Sequence, residues 1–239
     1  MRVLTLDSSA LAASAALTQD GKLLGEFFLN VGLTHSTTLM PMIDALLRYA
    51  NTSAKEIDLF AVTNGPGSFT GVRIGVSTVK GMAMAADKPC IGVSTLEAMA
   101  YNLPGAHGIV CCAMDARCGQ VYTALFRGER DKMQRLLPDS AMAIEELGAL
   151  LSAYDCPVTF LGDGAKLCFD KLFASLPKAA LAPDNLRFPR ASGAAQAVLQ
   201  GDLQPCTAAE LSVSYLRLSQ AERERKQKLE AENYDSTRL

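Results

Sequence analysis

Residues 2–29 read RVLTLDSSALAASAALTQDGKLLGEFFL, and this stretch decides the fold. Residues 2–6 form a short β-rich run that ends at Asp7, and Ser8-Ser9 makes a tight turn. Residues 12–17 predict a second strand and 23–29 a third, joined by the hairpin signal Asp20-Gly21. Helical spacing follows, with Leu39, Ile43, Leu46 and Leu47 on one face. Residues 57–62 predict a strand, 72–85 a helix, 90–93 a strand and 95–101 a helix. The order is βββαβαβα.

The second half repeats it. Residues 109–114 predict a strand ending at Asp115, Gly119-Gln120 a turn, and 121–126 the return strand. A third strand follows at 134–137, then a helix at 143–152, a strand at 158–161, a helix at 166–176, a short strand at 179–182 and a helix at 192–199. Pro104-Gly105 marks the boundary, which predicts lobes at 1–104 and 105–218 and a charged tail at 219–239. Two α/β lobes with mixed sheets, each with an Asp closing its first strand, resemble the actin-like ATPase (ribonuclease H-like) group. In that group the two first hairpins hold nucleotide phosphates in the cleft between the lobes, but fold likeness alone gives no function.

Composition narrows the classes. Of 239 residues 49% are apolar, enough to build a core. Lys and Arg (23) nearly balance Asp and Glu (25), which disfavours autonomous binding to a phosphate backbone. Seven scattered cysteines with no CxxC pair predict reduced thiols rather than a zinc knuckle or a disulfide framework. The apolar stretch 10–17 follows Asp7 and only one basic residue, Arg2, so it reads as a strand and not as a leader. No run approaches the ~18 apolar residues needed to cross a membrane, and the expected location is cytoplasmic.

Residues 64–75, Asn-Gly-Pro-Gly-Ser-Phe-Thr-Gly-Val-Arg-Ile-Gly, follow a strand and open a helix. Gly65 and Gly67 permit left-handed turns, and Ser68 or Thr70 can cap the helix. Free amides at such a helix start suit an anion. The spacing is neither a phosphate-binding GxxxxGK[ST] loop nor a dinucleotide fingerprint, and a capped helix start explains it equally.

This motif resembles the TsaB family, together with Ile-Gly-Val-Ser-Thr-Leu (91–96), Leu-Asp-Ser-Ser (6–9), Met-Asp-Ala-Arg-Cys-Gly-Gln-Val-Tyr (114–122) and Tyr-Leu-Arg (215–217). The resemblance covers residues 1 to 218. It implies a non-catalytic relative of TsaD that pairs with TsaD, with TsaE as a third component. That assembly transfers threonylcarbamoyl from threonylcarbamoyl-AMP to N6 of an anticodon-adjacent adenosine of tRNA. It implies tRNA contact only through the complex, no membrane, self-association in isolation, and no cofactor required by this chain, with ATP or ADP at the complex interface.

The candidate residues fall in two sets. Asp7, Ser8, Ser9, Asp115 and Arg117 lie at the two first hairpins, and Gly162 and Gly164 flank a strand-to-helix turn where a relative would contact adenosine. The carboxylates either orient Mg²⁺ near phosphates or cap their turns, and the residues alone leave both readings open. The second set is a partner interface on two helices: His35, Leu39, Met42, Ile43 and Leu46 on one, and Gly71, Ile74, Gly75 and Thr78 on the other. Gly71, Gly75 and Thr78 make a small-residue stripe that admits close helix packing, and the same stripes also suit packing on their own sheet. Pro41 fits only if it lies in the first turn or the helix bends. TsaD-like relatives carry two metal-ligand histidines one turn apart, whereas here Leu39 stands four residues after His35. An actin-like ATP-dependent phosphotransferase and a glycopeptidase-like protease remain as alternatives, the latter without an HExxH or GxSxG frame. In the tail, Glu222, Lys226 and Glu230 follow i+4 spacing, which predicts a solvated helix or a frayed end.

Overall fold

Strands β1 (Arg2–Asp7), β2 (Ala13–Gln19) and β3 (Lys22–Leu29) make an antiparallel meander in the computed structural model, which describes residues 1–129 and 132–217. The tail at 219–239 lies outside the described residues. Asp20 (φ 50°) and Gly21 (φ 81°) close the β2–β3 hairpin in the left-handed region that such two-residue turns require. Strands β4 (Leu59–Gly65) and β5 (Cys90–Ser94) add in parallel beyond β1, giving the order β3-β2-β1-β4-β5.

The second half builds the same sheet. Strands β6 (Ile109–Asp115), β7 (Gln120–Glu129), β8 (Lys132–Ala143), β9 (Val158–Leu161) and β10 (Ala179–Leu181) take the order β8-β7-β6-β9-β10, with the same mix of antiparallel and parallel pairs. Strand β8 runs well past the expected 134–137 and includes Pro138. It is an edge strand, where a missing N–H costs no internal ladder bond.

Helices α1 (His35–Tyr49) and α2 (Phe69–Ala86) cover one face of the first sheet. Leu39, Met42, Ile43, Leu46 and Leu47 of α1 pack with Leu4, Leu6, Phe60 and Val62. At roughly 1.5–3 kcal/mol for each fully buried aliphatic side chain, this stripe accounts for where α1 lies. Pro41 sits in the second turn on the exposed side, where the carbonyl it leaves unpaired meets water.

The other face of each sheet is covered by a helix from the opposite half. Helix α3 (Thr95–Ala100) sends Leu96 and Met99 onto the second sheet, beside Val110, Cys112 and Phe126. Helices α4 (Ile144–Leu151) and α5 (Ala165–Leu172) cover that sheet's far side, and α6 (Asp184–Arg187) is a single turn. Helix α7 (Ala191–Gln200) returns to the first lobe, against β1 and β2. Val3, Leu59, Ala61 and Ile91 form that small core, with Val198 and Leu203 against it. Residues 205–217 rejoin the first lobe too, burying Ala208 and Leu211 in its core. Pro104-Gly105 therefore divides the chain but not the packing. A sheet has two apolar faces, and the helices local to each half cover only one of them.

Two ion pairs reinforce the exchange. Arg190 reaches Glu26 at 2.8 Å and lies 4.5 Å over the Phe28 ring. Arg135 reaches Glu97 at 2.7 Å and also pairs with Asp139.

Candidate functional site

A cleft of about 630 Å³ opens between the lobes. Ser9 and Ala10 line it from the first hairpin, His35 from the start of α1, and Ser68, Phe69 and Gly71 from the start of α2. Asp115, Ala116, Arg117 and Asp163 line it from the second lobe, and Ser214 to Arg217 run along its edge.

The first hairpin is closed. Asp7 is fully buried and does not line the cleft. Its carboxylate accepts from Ser9 Oγ at 3.0 Å and from Ser9 N–H at 3.3 Å, which makes it a turn cap. Burial pushes its pKa up, with the Ser9 bonds opposing. Ser8 is buried as well, and its Oγ donates to the Gly71 carbonyl at 2.9 Å. A Cβ at Gly71 would collide with the Ser8 carbonyl oxygen, one at Gly75 with Ser8 Oγ, and one at Gly67 with the Ser9 carbonyl oxygen. Ser68 N–H donates to that Ser9 carbonyl at 2.7 Å. The glycine stripe thus admits the Ser8-Ser9 turn of the same lobe. Ser68 caps α2 by accepting from Gly71 N–H at 3.3 Å, while Thr70 lies inside the helix.

The second hairpin is open. Arg117, Cys118 and Gly119 take φ of 69°, 53° and 71° in succession. For two residues with side chains this costs on the order of 1–2 kcal/mol each. Asp115 accepts from Arg117 N–H at 2.8 Å, which holds the turn, and Asp163 accepts from Asp115 N–H at 3.0 Å. Burial, with the Asp115 carboxylate adding to it, raises the pKa of Asp163 against the backbone amides it accepts from. The Arg117 side chain is 84% exposed, 3.8 Å from Asp115. Gly162 and Gly164 do not face the cleft. A Cβ at Gly162 (φ 102°) would collide with the Ala113 carbonyl, and one at Gly164 would come within 2.9 Å of Asp115 N, so both serve the packing of the β9–α5 turn on β6.

The expected interface residues mostly face inward. Leu39, Met42, Ile43 and Leu46 are 1–4% exposed in their own core, and Gly71 and Gly75 are covered by the Ser8 turn. His35 is half-buried, and its Nε2–H donates to the Ala10 carbonyl at 2.7 Å. Helical period alone marks a face as apolar and does not say which surface fills it. Ile74 and Thr78 are the exceptions. They are half-buried and line a shallow outer groove with Ser36, Phe69, Thr70, Arg73 and Ser77. Met40, one turn after Ser36, is 50% exposed.

Some of the site's residues escaped the sequence reading. Asp163 lies between the two glycines that were singled out, and its acidity in that turn was the available signal. Arg73 lies 3.8 Å over the Phe69 ring, its Nε donates to the Tyr215 hydroxyl at 2.7 Å, and Phe69 stacks on Tyr215 at 4.9 Å. Phe69 and Arg73 show i+4 spacing, but nothing in the sequence announces Tyr215 beside them. Among the described residues no group of three or more His, Cys, Asp or Glu side chains could hold a metal ion. The residues present do not fit a two-hairpin phosphate clamp, because Asp7 and Ser8 are sealed under α2. No helix among the described residues is long and apolar enough to cross a membrane.

The profile of the TsaD family, tRNA N6-adenosine threonylcarbamoyltransferase, matches residues 30–222. The tRNA threonylcarbamoyladenosine biosynthesis protein TsaB of Bacillus subtilis is 33% identical over 167 residues, 70% of this chain and 73% of that protein. The Escherichia coli protein of the same name is 40% identical over 133 residues, 55% of this chain and 57% of that one. By contrast, the transferase of Brachyspira hyodysenteriae is matched over only 35% of its length. YeaZ from Pseudomonas aeruginosa superposes with a TM-score of 0.77 at 27% identity, covering 90% of this chain and 99% of that one. The ethanolamine utilization protein EutJ from Carboxydothermus hydrogenoformans, at TM-score 0.50 and 13% identity, shares the fold alone. The profile and the transferases mark the wider kinship, and the near-complete overlay on YeaZ with the B. subtilis match narrows it: the chain belongs to the TsaB family.

Proposed function

We propose that this chain is a non-catalytic partner of TsaD in the transfer of threonylcarbamoyl from threonylcarbamoyl-AMP to N6 of the anticodon-adjacent adenosine of tRNA, with TsaE as a third component. The observation that carries this reading is the closed first hairpin. Where an actin-like kinase would place a phosphate, the glycine stripe of α2 presses on Ser8 and Ser9. A group that fills its own phosphate turn contributes binding energy rather than chemistry.

The docking surface is the outer side of α1 and α2, where Ser36, Met40, Arg73, Ile74, Ser77 and Thr78 are exposed or half-buried. Burying it against matching helices of TsaD would favour one conformation of the catalytic subunit, by as much as its affinity for that conformation exceeds that for the others. The same face would serve a homodimer when TsaD is absent. ATP or ADP at the complex interface would meet this chain through Asp115, Arg117 and Asp163. A partner in tRNA modification would act in the cytoplasm.

The test is reconstitution with tRNA and threonylcarbamoyl-AMP. TsaD and TsaE with this chain should form the modified adenosine, and this chain alone none. Modification by the isolated chain sinks the proposal.

A further inference from the structure

Cys90 opens β5, the edge strand of the first sheet, and Cys206 lies in the returning segment beside it. The two residues form an antiparallel bridge: Cys90 N–H donates to the Cys206 carbonyl at 2.9 Å, and Cys206 N–H to the Cys90 carbonyl at 2.8 Å. A reciprocal pair of this kind sets the Cα atoms about 5.5 Å apart. Disulfides span Cα separations of roughly 4.4–6.8 Å. The two sulfurs already lie 4.0 Å apart. Closing that gap needs side-chain rotation and no movement of the backbone. Cys111 and Cys112, although adjacent in sequence, occupy successive positions of β6 and point to opposite faces of the sheet.

Access is asymmetric. Cys90 is fully buried, whereas Cys206 is half-buried and lines a surface groove of about 670 Å³ with Lys88, Pro89 and Glu210. Burial, then the neighbouring Cys206 sulfur, pushes the Cys90 thiol up to about 11. Cys206 is therefore the thiol that meets a solute first.

We propose that Cys90 and Cys206 are a peroxide-responsive pair that closes to a disulfide and fastens the returning segment to the first sheet. The Cys206 thiolate attacks one oxygen of hydrogen peroxide, the O–O bond breaks, and the departing hydroxide takes a proton to leave as water. Cys206 is then a sulfenic acid. Cys90 gives up its proton as its sulfur attacks that of Cys206, the S–O bond breaks, and a second water leaves. Two thiols lose two electrons in all, and one peroxide becomes two waters.

The consequence is structural. Beyond Cys206, Lys80 Nζ holds the Leu211 carbonyl at 2.9 Å, Ser214 N–H donates to the Asn64 carbonyl at 2.7 Å, and Tyr215 stacks on Phe69. Arg217 Nη1 then reaches the Ala116 carbonyl of the second lobe at 3.2 Å. A covalent link at 206 anchors the start of the strap that ends on the cleft's far wall.

The full chain is exposed to hydrogen peroxide, quenched with N-ethylmaleimide and weighed intact. The expected product has lost about 2 Da, the two hydrogens removed, takes up two fewer maleimides, and yields a 90–206 linked peptide. It melts at a higher temperature than the reduced chain, and dithiothreitol reverses the shift. Cys206→Ser, at a half-buried position, abolishes the link, and Cys118→Ser leaves its rate unchanged. Oxidation of Cys206 to sulfinic acid with no 90–206 peptide, or a link that requires Cys118, overturns the proposal.

Discussion

The Ser8-Ser9 turn and the Ala116–Gly119 turn hold equivalent places in two copies of one topology, yet their surroundings are opposite. Ser8 and Ser9 are fully buried, pressed by the three glycines at the start of α2. Arg117 and Cys118 are exposed, in left-handed backbone that no helix among the described residues fills. One turn has become part of a core, and the other keeps its side chains in the cleft. A repeat thus preserves the plan of a turn without preserving its surroundings. At Gly67, Gly71 and Gly75 the missing Cβ atoms leave the room that the Ser8-Ser9 turn fills.

The contrast breaks most visibly at the glycines. Gly71→Val forces a side chain into the Ser8 carbonyl, and overpacking of this kind costs about 3 kcal/mol. For a chain of this size that lowers the melting temperature by ~6–12 °C in calorimetry. At Gly119 the nearest atom to a new Cβ is Lys171 Nζ at 3.9 Å, so only the positive φ of 71° penalises it. Gly119→Ala should cost about 1–2 kcal/mol. Equal costs at the two positions would erase the distinction between a filled and an open turn.

Asp7 sharpens it through pH. Burial holds its folded pKa above the ordinary carboxylate value of 3.8. The folded chain therefore binds the extra proton between those two values. The stability this group contributes is full below 3.8 and is lost as pH rises through the folded pKa. Asp7→Asn is neutral throughout, so its stability relative to the parent should climb with pH across that window and then level off. Urea unfolding of both proteins at about pH 4 and pH 7 reads the difference directly. A parent and variant that track each other would show Asp7 to be solvated. The smallest effect belongs to Arg117, whose exposed side chain should be replaceable by Ala within about 0.5 kcal/mol in the same assay.

Much of this was legible in the chain itself. Both βββ meanders and both lobes' order follow from period and turn chemistry, as do the Asp20-Gly21 hairpin and the existence, though not the direction, of the apolar stripes on α1 and α2. The small-residue stripe of α2 was also legible, and so was its meaning, close approach. Its partner was not, because Gly71 and Gly75 look the same whether they receive another subunit or Ser8. The exchange of α3 and α7 was invisible for a related reason: Leu96 and Ala194 carry no mark of which sheet they cover. Strand β8 outruns the expected 134–137 because Pro138 and Asp139 resemble a break in the sequence, and edge position is a property of the sheet. The open hairpin's Asp115 and Arg117 were found by motif. Asp163 and Tyr215 join them only through folding across long chain separations.

The proposed docking puts TsaD on the outer side of α1 and α2. The most direct measurement is calorimetric titration of TsaD with the double variant Met40→Asp, Ser77→Arg, whose positions are exposed. Leu167→Asp on the second lobe serves as the control. With the proposed docking, the double variant weakens binding by at least about 100-fold with an unchanged melting temperature, while Leu167→Asp binds as the parent does. Parental affinity in the double variant, or loss of binding in Leu167→Asp alone, would contradict it.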